Sequence, residues 1–285
     1  MSTSSAVELF VSASWLNTHR HDADIALIDA RMLPVGNDTR DITAEYRAEH
    51  LPGAVFFDIE SLSDHQTSLP HMMPDLATFA DALGKLGLSE QQHLVIYDEG
   101  NLFSAPRAWW MLRLVGASRI SLLSGGLAGW KQQGLPLEHG DVSPTAQVFN
   151  AKTPAAGAIR SLDEVLLLCR TGDEQIVDAR PAPRFLGEVD EPRPGLRRGH
   201  IPGSFNVPWT LLVENGALKS ADELATLFHQ AGVDIQRPIV ASCGSGVTAS
   251  VVMLALFVLN APQVSLYDGS WSEWGARDDV PVITG

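Results

Sequence analysis

The sequence predicts an α/β protein with two tandem domains, each a mainly parallel sheet flanked by helices. Two observations support this fold class. Short apolar runs alternate with helical patterns along the chain, and one series of motifs occurs twice in the same order. Strands that alternate with helices favour parallel sheets covered on both faces. In such sheets, ligands bind beyond the carboxyl ends of the strands.

The duplication rests on three pairs of similar blocks. The blocks lie at nearly the same spacing and are LIDAR (27–31) with IVDAR (176–180), EHLPGAVFFDI (49–59) with GHIPGSFNVPW (199–209), and SLLSGGLAGW (121–130) with SLYDGSWSEW (265–274). A spacing this long indicates a duplicated domain, because solenoid repeats have much shorter periods. We expect domains at 1–135 and 161–285, joined by a linker at 136–160 that is rich in Gly, Pro and Ala.

In the first half, short apolar runs predict the strands IALIDA (25–30), HLVIYD (93–98) and ISLL (120–123). Between them, LATFADALGKLG (76–87) and SAPRAWWMLRLVG (104–116) predict helices, and each of these patterns ends at a glycine. Because strands and helices alternate, these elements are expected to form one sheet with helices on both faces.

In the second half, the strand RPIVAS (237–242) and the apolar helix TASVVMLALFVL (248–259) flank a loop that contains Cys243. Gly244 and Gly246 allow this loop to curl until its backbone N–H groups converge on one point. The unpaired N–H groups and the dipole at the start of the helix favour the thiolate form of a cysteine. Many cysteines are simply buried core residues, but this setting predicts that Cys243 is a nucleophile.

The remaining cysteine and the first-half counterpart of Cys243 are predicted to be non-catalytic. Cys169 lies on an amphipathic helix, where a buried structural role is expected. The repeat places Asp98 at the position of Cys243, and an aspartate cannot act as a sulfur nucleophile. We therefore predict a non-catalytic domain at 1–135 and a catalytic domain at 161–285.

The repeated DAR motifs, the HLPG and HIPG motifs, and the blocks that end at Trp130 and Trp274, with CGSGVTA at 243–249, resemble the tandem-domain rhodanese family of sulfurtransferases. The loop resembles that of the 3-mercaptopyruvate sulfurtransferases within this family, whereas thiosulfate-type members carry basic residues after the cysteine. The resemblance implies that Cys243 takes sulfur from 3-mercaptopyruvate, releases pyruvate and becomes a persulfide. A thiol, a small redox protein or cyanide then accepts the outer sulfur. The resemblance implies no cofactor and a substrate site formed by Gly244, Gly246, Val247 and Thr248.

Side chains outside the loop are also implied by the resemblance. Arg184 and Arg193 match the two substrate-binding arginines, and a guanidinium can bind a carboxylate through two parallel hydrogen bonds. Their segment has no counterpart in the first half, although its charges could simply pair with nearby acidic residues. Ser245, His71 and Glu60 match a proton relay, with Glu60 standing where many members have Asp. These three residues would place the site between the domains.

Other polar residues carry weaker signals. Those that recur in both halves are expected to be structural: Asp29, Arg31, His50, Asp178, Arg180 and His200. The roles of Arg197 and Arg198 stay open. Neither cysteine has a second Cys or a His at metal-ligand spacing, so we predict no metal site.

The composition and the loop argue against several other functions. A net charge of −14 and a pI of about 4.9 disfavour nucleic acid or an anionic membrane as partner. No signal segment is recognised, and the longest apolar run, at 251–259, is too short to span a bilayer. We expect a cytoplasmic protein, since the two cysteines lie on dissimilar segments and suggest no disulfide scaffold. A cysteine phosphatase would need an arginine near the end of the loop, and the loop has none. A thiosulfate sulfurtransferase and a non-catalytic binding module remain the alternatives.

Overall fold

The computed structural model describes residues 7–36 and 39–285. The strands of the first half are β1 (Phe10–Val11), β2 (Ile25–Asp29), β3 (Val55–Phe56), β4 (His93–Tyr97) and β5 (Ile120–Leu123). Its helices are α1 (Ala13–His19), α2 (Ile42–Ala48), α3 (Leu76–Lys85), α4 (Ala105–Leu114) and α5 (Gly126–Gln132). The strands form a parallel sheet in the order β1-β5-β4-β2-β3.

The second half repeats this architecture. Its sheet contains β6 (Ile159–Arg160), β7 (Gln175–Asp178), β8 (Phe205–Asn206), β11 (Ile239–Ser242) and β12 (Val264–Tyr267). Its helices are α6 (Leu162–Thr171), α7 (Ala182–Phe185), α8 (Ala221–Gln230), α9 (Ala249–Val258) and α10 (Ser270–Trp274). The parallel order is β6-β12-β11-β7-β8, so β11 takes the central place that β4 has in the first sheet.

The predicted α/β fold class with two parallel sheets is confirmed, but some element boundaries differ. The strand predicted over 237–242 begins at Ile239, because Pro238 has no N–H to donate to a neighbouring strand. Ile159 and Arg160, assigned to the linker from sequence, pair with β12 as an edge strand. A two-residue strand has too little periodicity to be recognised in a sequence. A short antiparallel pair, β9 (Val213–Glu214) and β10 (Ala217–Leu218), follows a 3₁₀ helix at Trp209–Leu211.

Helices α4 and α9 pack against each other and join the two halves. α9 is apolar on all sides, and residues 249–256 are buried. A helix of this kind must be covered all round, and its own sheet and α4 cover it. α4 and α9 each begin at the end of a loop that follows a central strand. This packing therefore brings the two strand-to-helix loops to the same side of the molecule.

The Asp–Arg pairs that recur in both halves hold the strand ends. Arg180 forms a buried ion pair with Asp178 at 2.7 Å and donates to the Gly199 C=O at 2.9 Å. Arg31 pairs with Asp29 at 2.8 Å in the same way. Each pair ties its strand to the turn that precedes the next strand. No helix in the described ranges is long and apolar enough to cross a membrane.

Candidate active site

Cys243 is the first residue after the central strand β11. The residue is 1% exposed. Its N–H donates to the Ser270 hydroxyl at 3.1 Å, and its C=O accepts from the Trp271 N–H at 3.0 Å. These bonds tie the base of the loop to the start of α10. The thiol is thereby held at the carboxyl end of a parallel strand, where this class of sheet binds ligands.

The loop after Cys243 curls before α9 begins. Gly246 has a φ of 78°, a left-handed conformation that glycine adopts without steric penalty. In the part of the chain that the structure describes, the N–H groups of residues 244–248 donate to no protein acceptor. The N-terminal dipole of α9 adds partial positive charge beside them. The loop therefore offers an anion site next to the thiol.

The equivalent loop of the first half contains its own anion. Asp98 follows β4 as Cys243 follows β11. Its carboxylate accepts hydrogen bonds from the N–H groups of the loop, namely Gly100 at 2.8 Å, Leu102 at 3.3 Å, Ser104 at 3.1 Å and Ala105 at 3.1 Å. A fixed carboxylate thus occupies the centre of this loop. The comparison indicates what the Cys243 loop is built to hold, which is a negatively charged atom.

Glu60, His71 and Ser245 form a hydrogen-bonded chain that joins the two halves. His71 Nε2 lies 2.6 Å from Glu60 Oε1, and His71 Nδ1 lies 2.9 Å from Ser245 Oγ. The hydrogen bond from His71 lowers the pKa of the Glu60 carboxyl, so Glu60 is ionised and accepts. Nε2 therefore carries a proton, and Nδ1 can exchange a proton with the Ser245 hydroxyl. The chain can move one proton to or from the edge of the thiol loop.

Arg184 lies on α7 with its guanidinium against the Cys243 loop. A Cβ atom added to Gly244 would lie 3.2 Å from Arg184 Nη2. The Arg184 Nε and Nη2 groups both donate to Glu191 Oε2, the former at 3.0 Å. Glu191 is buried and also accepts from Arg180 Nη1 at 2.7 Å. Glu191 therefore fixes Arg184 in place beside the loop, where Arg184 lines the same cavity as Cys243.

Arg193 carries a positive charge and, among the residues that the structure describes, has no carboxylate within ion-pair distance. Within residues 7–36 and 39–285, its guanidinium makes no hydrogen bond and no ion pair. Burial lowers the pKa of Arg193, and the nearby Glu60 and Cys243 partly offset this effect. An arginine remains charged despite such a shift. Its unpaired fork beside the thiol is suited to bind a carboxylate.

A cavity of about 340 Å³ connects these groups. Both halves line it, and the contributors include Val35, His71, Asn101, Phe103, Trp209 and Thr210. Of the predicted loop residues, Gly244, Val247 and Thr248 face the cavity together with Cys243 and Ser245. Gly246 lies behind the loop, where an added Cβ would meet Asp268 Oδ1 at 2.8 Å and Arg107 Nη1 at 2.9 Å. The cavity offers room for a small acid between the two arginines and the thiol.

Both halves of the chain match the same family of domains. The Rhodanese-like domain covers residues 12–133 and residues 161–277. The chain belongs to the rhodanese family. It is 57% identical over 273 residues to the 3-mercaptopyruvate sulfurtransferase of Escherichia coli strain K12. This match covers 96% of this chain and 97% of that relative. It is 43% identical over 276 residues to the 3-mercaptopyruvate sulfurtransferase of Rattus norvegicus, covering 94% and 92% of the two chains.

A solved member of the rhodanese family has the same architecture over nearly the whole chain. The crystal structure of SseA from Escherichia coli, described as a 3-mercaptopyruvate sulfotransferase, has 54% sequence identity and a TM-score of 0.86. The match covers 94% of this chain and all of that one. The two rhodanese domains and their relative arrangement therefore match those of this solved structure.

Sequence reasoning missed several residues at the junction of the two rhodanese domains. Arg107 and Asp268 form a buried ion pair at 2.7 Å behind the Cys243 loop. Asn101 and Phe103 of the first domain line the cavity. The Phe103 ring packs against the Trp209 ring, and the ring centroids lie 5.8 Å apart. These contacts cross the domain boundary, so neither periodicity nor local motifs could reveal them. The position of Asn101 and Phe103 on the Asp98 loop was the one available signal.

The structure assigns contacts to the arginines that the sequence left open. Arg197 donates to the C=O groups of Trp274 at 3.1 Å and Val280 at 3.1 Å, which fastens the C-terminal segment. Arg198 pairs with Asp190 at 2.7 Å on the surface. Neither residue faces the cavity. In the described ranges, no cluster of His, Cys, Asp or Glu has the arrangement of a metal site.

Proposed function

We propose that this chain is a 3-mercaptopyruvate sulfurtransferase that transfers sulfur through a persulfide on Cys243 and releases pyruvate. The observation that carries the proposal is the combination of an open anion-binding loop around Cys243 with the unpaired Arg193 guanidinium beside it. The loop suits a thiolate and then the outer sulfur of a persulfide. The guanidinium suits the carboxylate of a keto acid. Relatives of the same name over nearly the full length support the assignment.

In the first step, the Cys243 thiolate attacks the sulfur of 3-mercaptopyruvate. A bond forms between the two sulfur atoms, and the bond between the substrate sulfur and C3 breaks. Its electron pair passes to C3, which leaves as the enolate of pyruvate and then takes a proton. Cys243 retains the outer sulfur, whose charge the N–H groups of residues 244–248 stabilise. This is covalent catalysis in two steps.

We assign proton transfer to the chain of Ser245, His71 and Glu60. His71 Nδ1 takes a proton from the substrate thiol through the Ser245 hydroxyl and returns it to C3 of the enolate. When His71 is protonated, its Nδ1–H can donate to both Ser245 Oγ at 2.9 Å and the Ser245 C=O at 3.3 Å. The ionised Glu60 stabilises the imidazolium from the other side.

In the second step, an acceptor thiolate attacks the outer sulfur and regenerates the Cys243 thiolate. Because Cys243 is 1% exposed at the base of the cavity, the acceptor must be slender. A small thiol, cyanide or a protruding cysteine of a small redox protein meets this requirement. We propose a cytoplasmic location, where the free cysteines Cys169 and Cys243 would remain reduced.

The loop favours 3-mercaptopyruvate over thiosulfate as the donor. Thiosulfate carries its charge on the group that departs as sulfite, directly beside the transferred sulfur. No side chain at 244–248 is basic. The arginines that line the cavity, Arg193 and the Glu191-bound Arg184, lie at the side of the loop, where a carboxylate three carbons from the sulfur can reach them.

Mass spectrometry tests the proposal directly. After treatment with 3-mercaptopyruvate and no acceptor, the peptide with Cys243 is expected to gain the mass of one sulfur atom, and pyruvate should appear in equal amount. The Cys169 peptide should stay unmodified, because burial raises the pKa of Cys169 to about 11 and keeps it as a thiol at neutral pH. Sulfur on Cys169 alone, or pyruvate without sulfur on Cys243, would refute the mechanism.

The two arginines provide a second prediction. Arg193→Ala and Arg184→Ala are each expected to lower kcat/KM for 3-mercaptopyruvate about 10- to 100-fold, since a charge-assisted hydrogen bond contributes about 1.5–3 kcal/mol. Arg198→Ala is the matched control, because this arginine pairs with Asp190 at the surface and does not face the cavity. Steady-state kinetics with cyanide as acceptor measures the effect. Wild-type kcat/KM in both cavity variants would exclude the carboxylate clamp.

A further inference from the structure

Arg107 connects the non-catalytic domain to both parts of the catalytic machinery. It lies on α4, in the domain that lacks the cysteine, and is 0% exposed. Its Nη1 group lies 2.7 Å from Asp268 Oδ1 and 3.4 Å from the Gly246 C=O, and its Nη2 group donates to the His71 C=O. One planar fork therefore contacts the back of the Cys243 loop and the backbone of the relay histidine.

Asp268 holds the same segment from the other side. It follows β12, and its Oδ2 atom accepts from the Met73 N–H at 2.7 Å. The Arg107–Asp268 pair thus binds the backbone at His71 and at Met73. Both acidic and basic groups of the pair are almost completely buried. The pair forms a bridge from α4 through the domain interface to the relay.

The backbone at His71 requires such support. Its φ of 61° lies in the left-handed region, which a non-glycine residue occupies only when its surroundings hold it there. In this conformation the His71 ring lies between Glu60 and Ser245. The buried pair engages the His71 C=O and the Met73 N–H, so it holds the backbone that directly follows the His71 side chain.

We propose that Arg107 is a positioning residue that fixes His71 against Ser245 and so sets the geometry of the proton relay. The proposal rests on the proposed sulfurtransferase function and adds a residue to it. Stability alone does not account for the pair, since a buried ion pair often contributes no more than well-packed apolar side chains would. The fork shape is the essential property, because it serves acceptors on two segments at once.

Arg107→Lys keeps the charge and removes the fork, so it is the variant that tests this role. An ammonium group can serve Asp268 but cannot also reach the His71 C=O with the same geometry. We expect kcat for 3-mercaptopyruvate to fall at least about tenfold, the cost of one misplaced hydrogen bond to a charged group, with KM changed little. Arg113→Lys is the matched control on the same helix. The Arg113 Cζ atom lies 4.4 Å from the centroid of the Phe257 ring. Within the described residues, this guanidinium makes no hydrogen bond and no ion pair.

A double-mutant cycle with Ser245→Ala distinguishes positioning from general damage. If Arg107 acts through the relay, Arg107→Lys will cause little further loss once Ser245 is alanine. Losses that multiply, or wild-type kcat in Arg107→Lys, would overturn the proposal. If Arg107→Lys does not fold, Asp268→Asn takes its place in the double-mutant cycle with Ser245→Ala. The same small further loss of kcat is then expected. Lack of turnover in the wild-type protein would instead refute the proposed function, which keeps the two failures distinct.

Discussion

Cys243→Ser is expected to show no detectable sulfur transfer from 3-mercaptopyruvate or thiosulfate. A serine hydroxyl at neutral pH is a weak nucleophile, and it cannot form a persulfide. The fold should persist, because the contacts of Cys243 to Ser270 and Trp271 use its backbone. Pyruvate release and thiocyanate formation measure the activity, and thermal unfolding measures the fold.

Cys169→Ser is the control for this experiment. Cys169 is partly exposed on α6, and burial raises the pKa of its thiol to about 11. This variant should therefore keep most of the wild-type activity. Substantial turnover by a folded Cys243→Ser protein, or loss of turnover in Cys169→Ser, would show that sulfur takes another route.

The fold was predictable because its signals are local. Apolar runs such as 93–97 and 239–242 are bounded by turn residues and alternate with amphipathic helices, so they identify buried parallel strands. The edge strand Ile159–Arg160 and the short helix Ala182–Phe185 escaped prediction. Both owe their conformation to neighbours that are distant in the chain, and neither is long enough to show a period.

The site was predictable only in part, because only some of its residues are close together in the sequence. Cys243 and its loop occupy consecutive positions, so their chemistry can be inferred from the residues themselves. His71 and Ser245 are separated by 174 residues, and only family resemblance indicated that they meet. Arg107 and Asp268 are 161 residues apart and belong to no recognised motif, so their pairing was found only in the structure.

The two duplicated domains contribute different parts of the site. In the first domain, the Asp98 carboxylate stands at the position of Cys243 and accepts from N–H groups of its own loop, which holds that loop in a fixed shape. The same loop then supplies Asn101 and Phe103 to the wall of the cavity. The domain also contributes His71 and Arg107. The first domain, whose own loop has Asp98 in place of a cysteine, therefore helps to form the cavity around Cys243 of the second domain.

Exchanging the loop for a basic one is expected to reverse the donor preference. In the variant Gly244→Arg with Ser245→Lys, kcat/KM for thiosulfate should rise, because cations beside the outer sulfur stabilise the charge that develops on departing sulfite. The kcat/KM for 3-mercaptopyruvate should fall for two separate reasons. The relay loses the Ser245 hydroxyl, and any side chain at 244 approaches Arg184, whose Nη2 would lie 3.2 Å from the new Cβ.

The measured quantity is the ratio of kcat/KM for the two donors, with cyanide as the common acceptor. We expect this ratio to shift by about a hundredfold or more, since removing or adding one group that stabilises transition-state charge commonly changes rates by about that factor. Ser245→Ala alone separates the two causes: it should lower turnover of 3-mercaptopyruvate without raising that of thiosulfate. An unchanged ratio in a folded double variant would place donor selection in the Arg184–Arg198 segment, because the remaining cations beside the cavity belong to it.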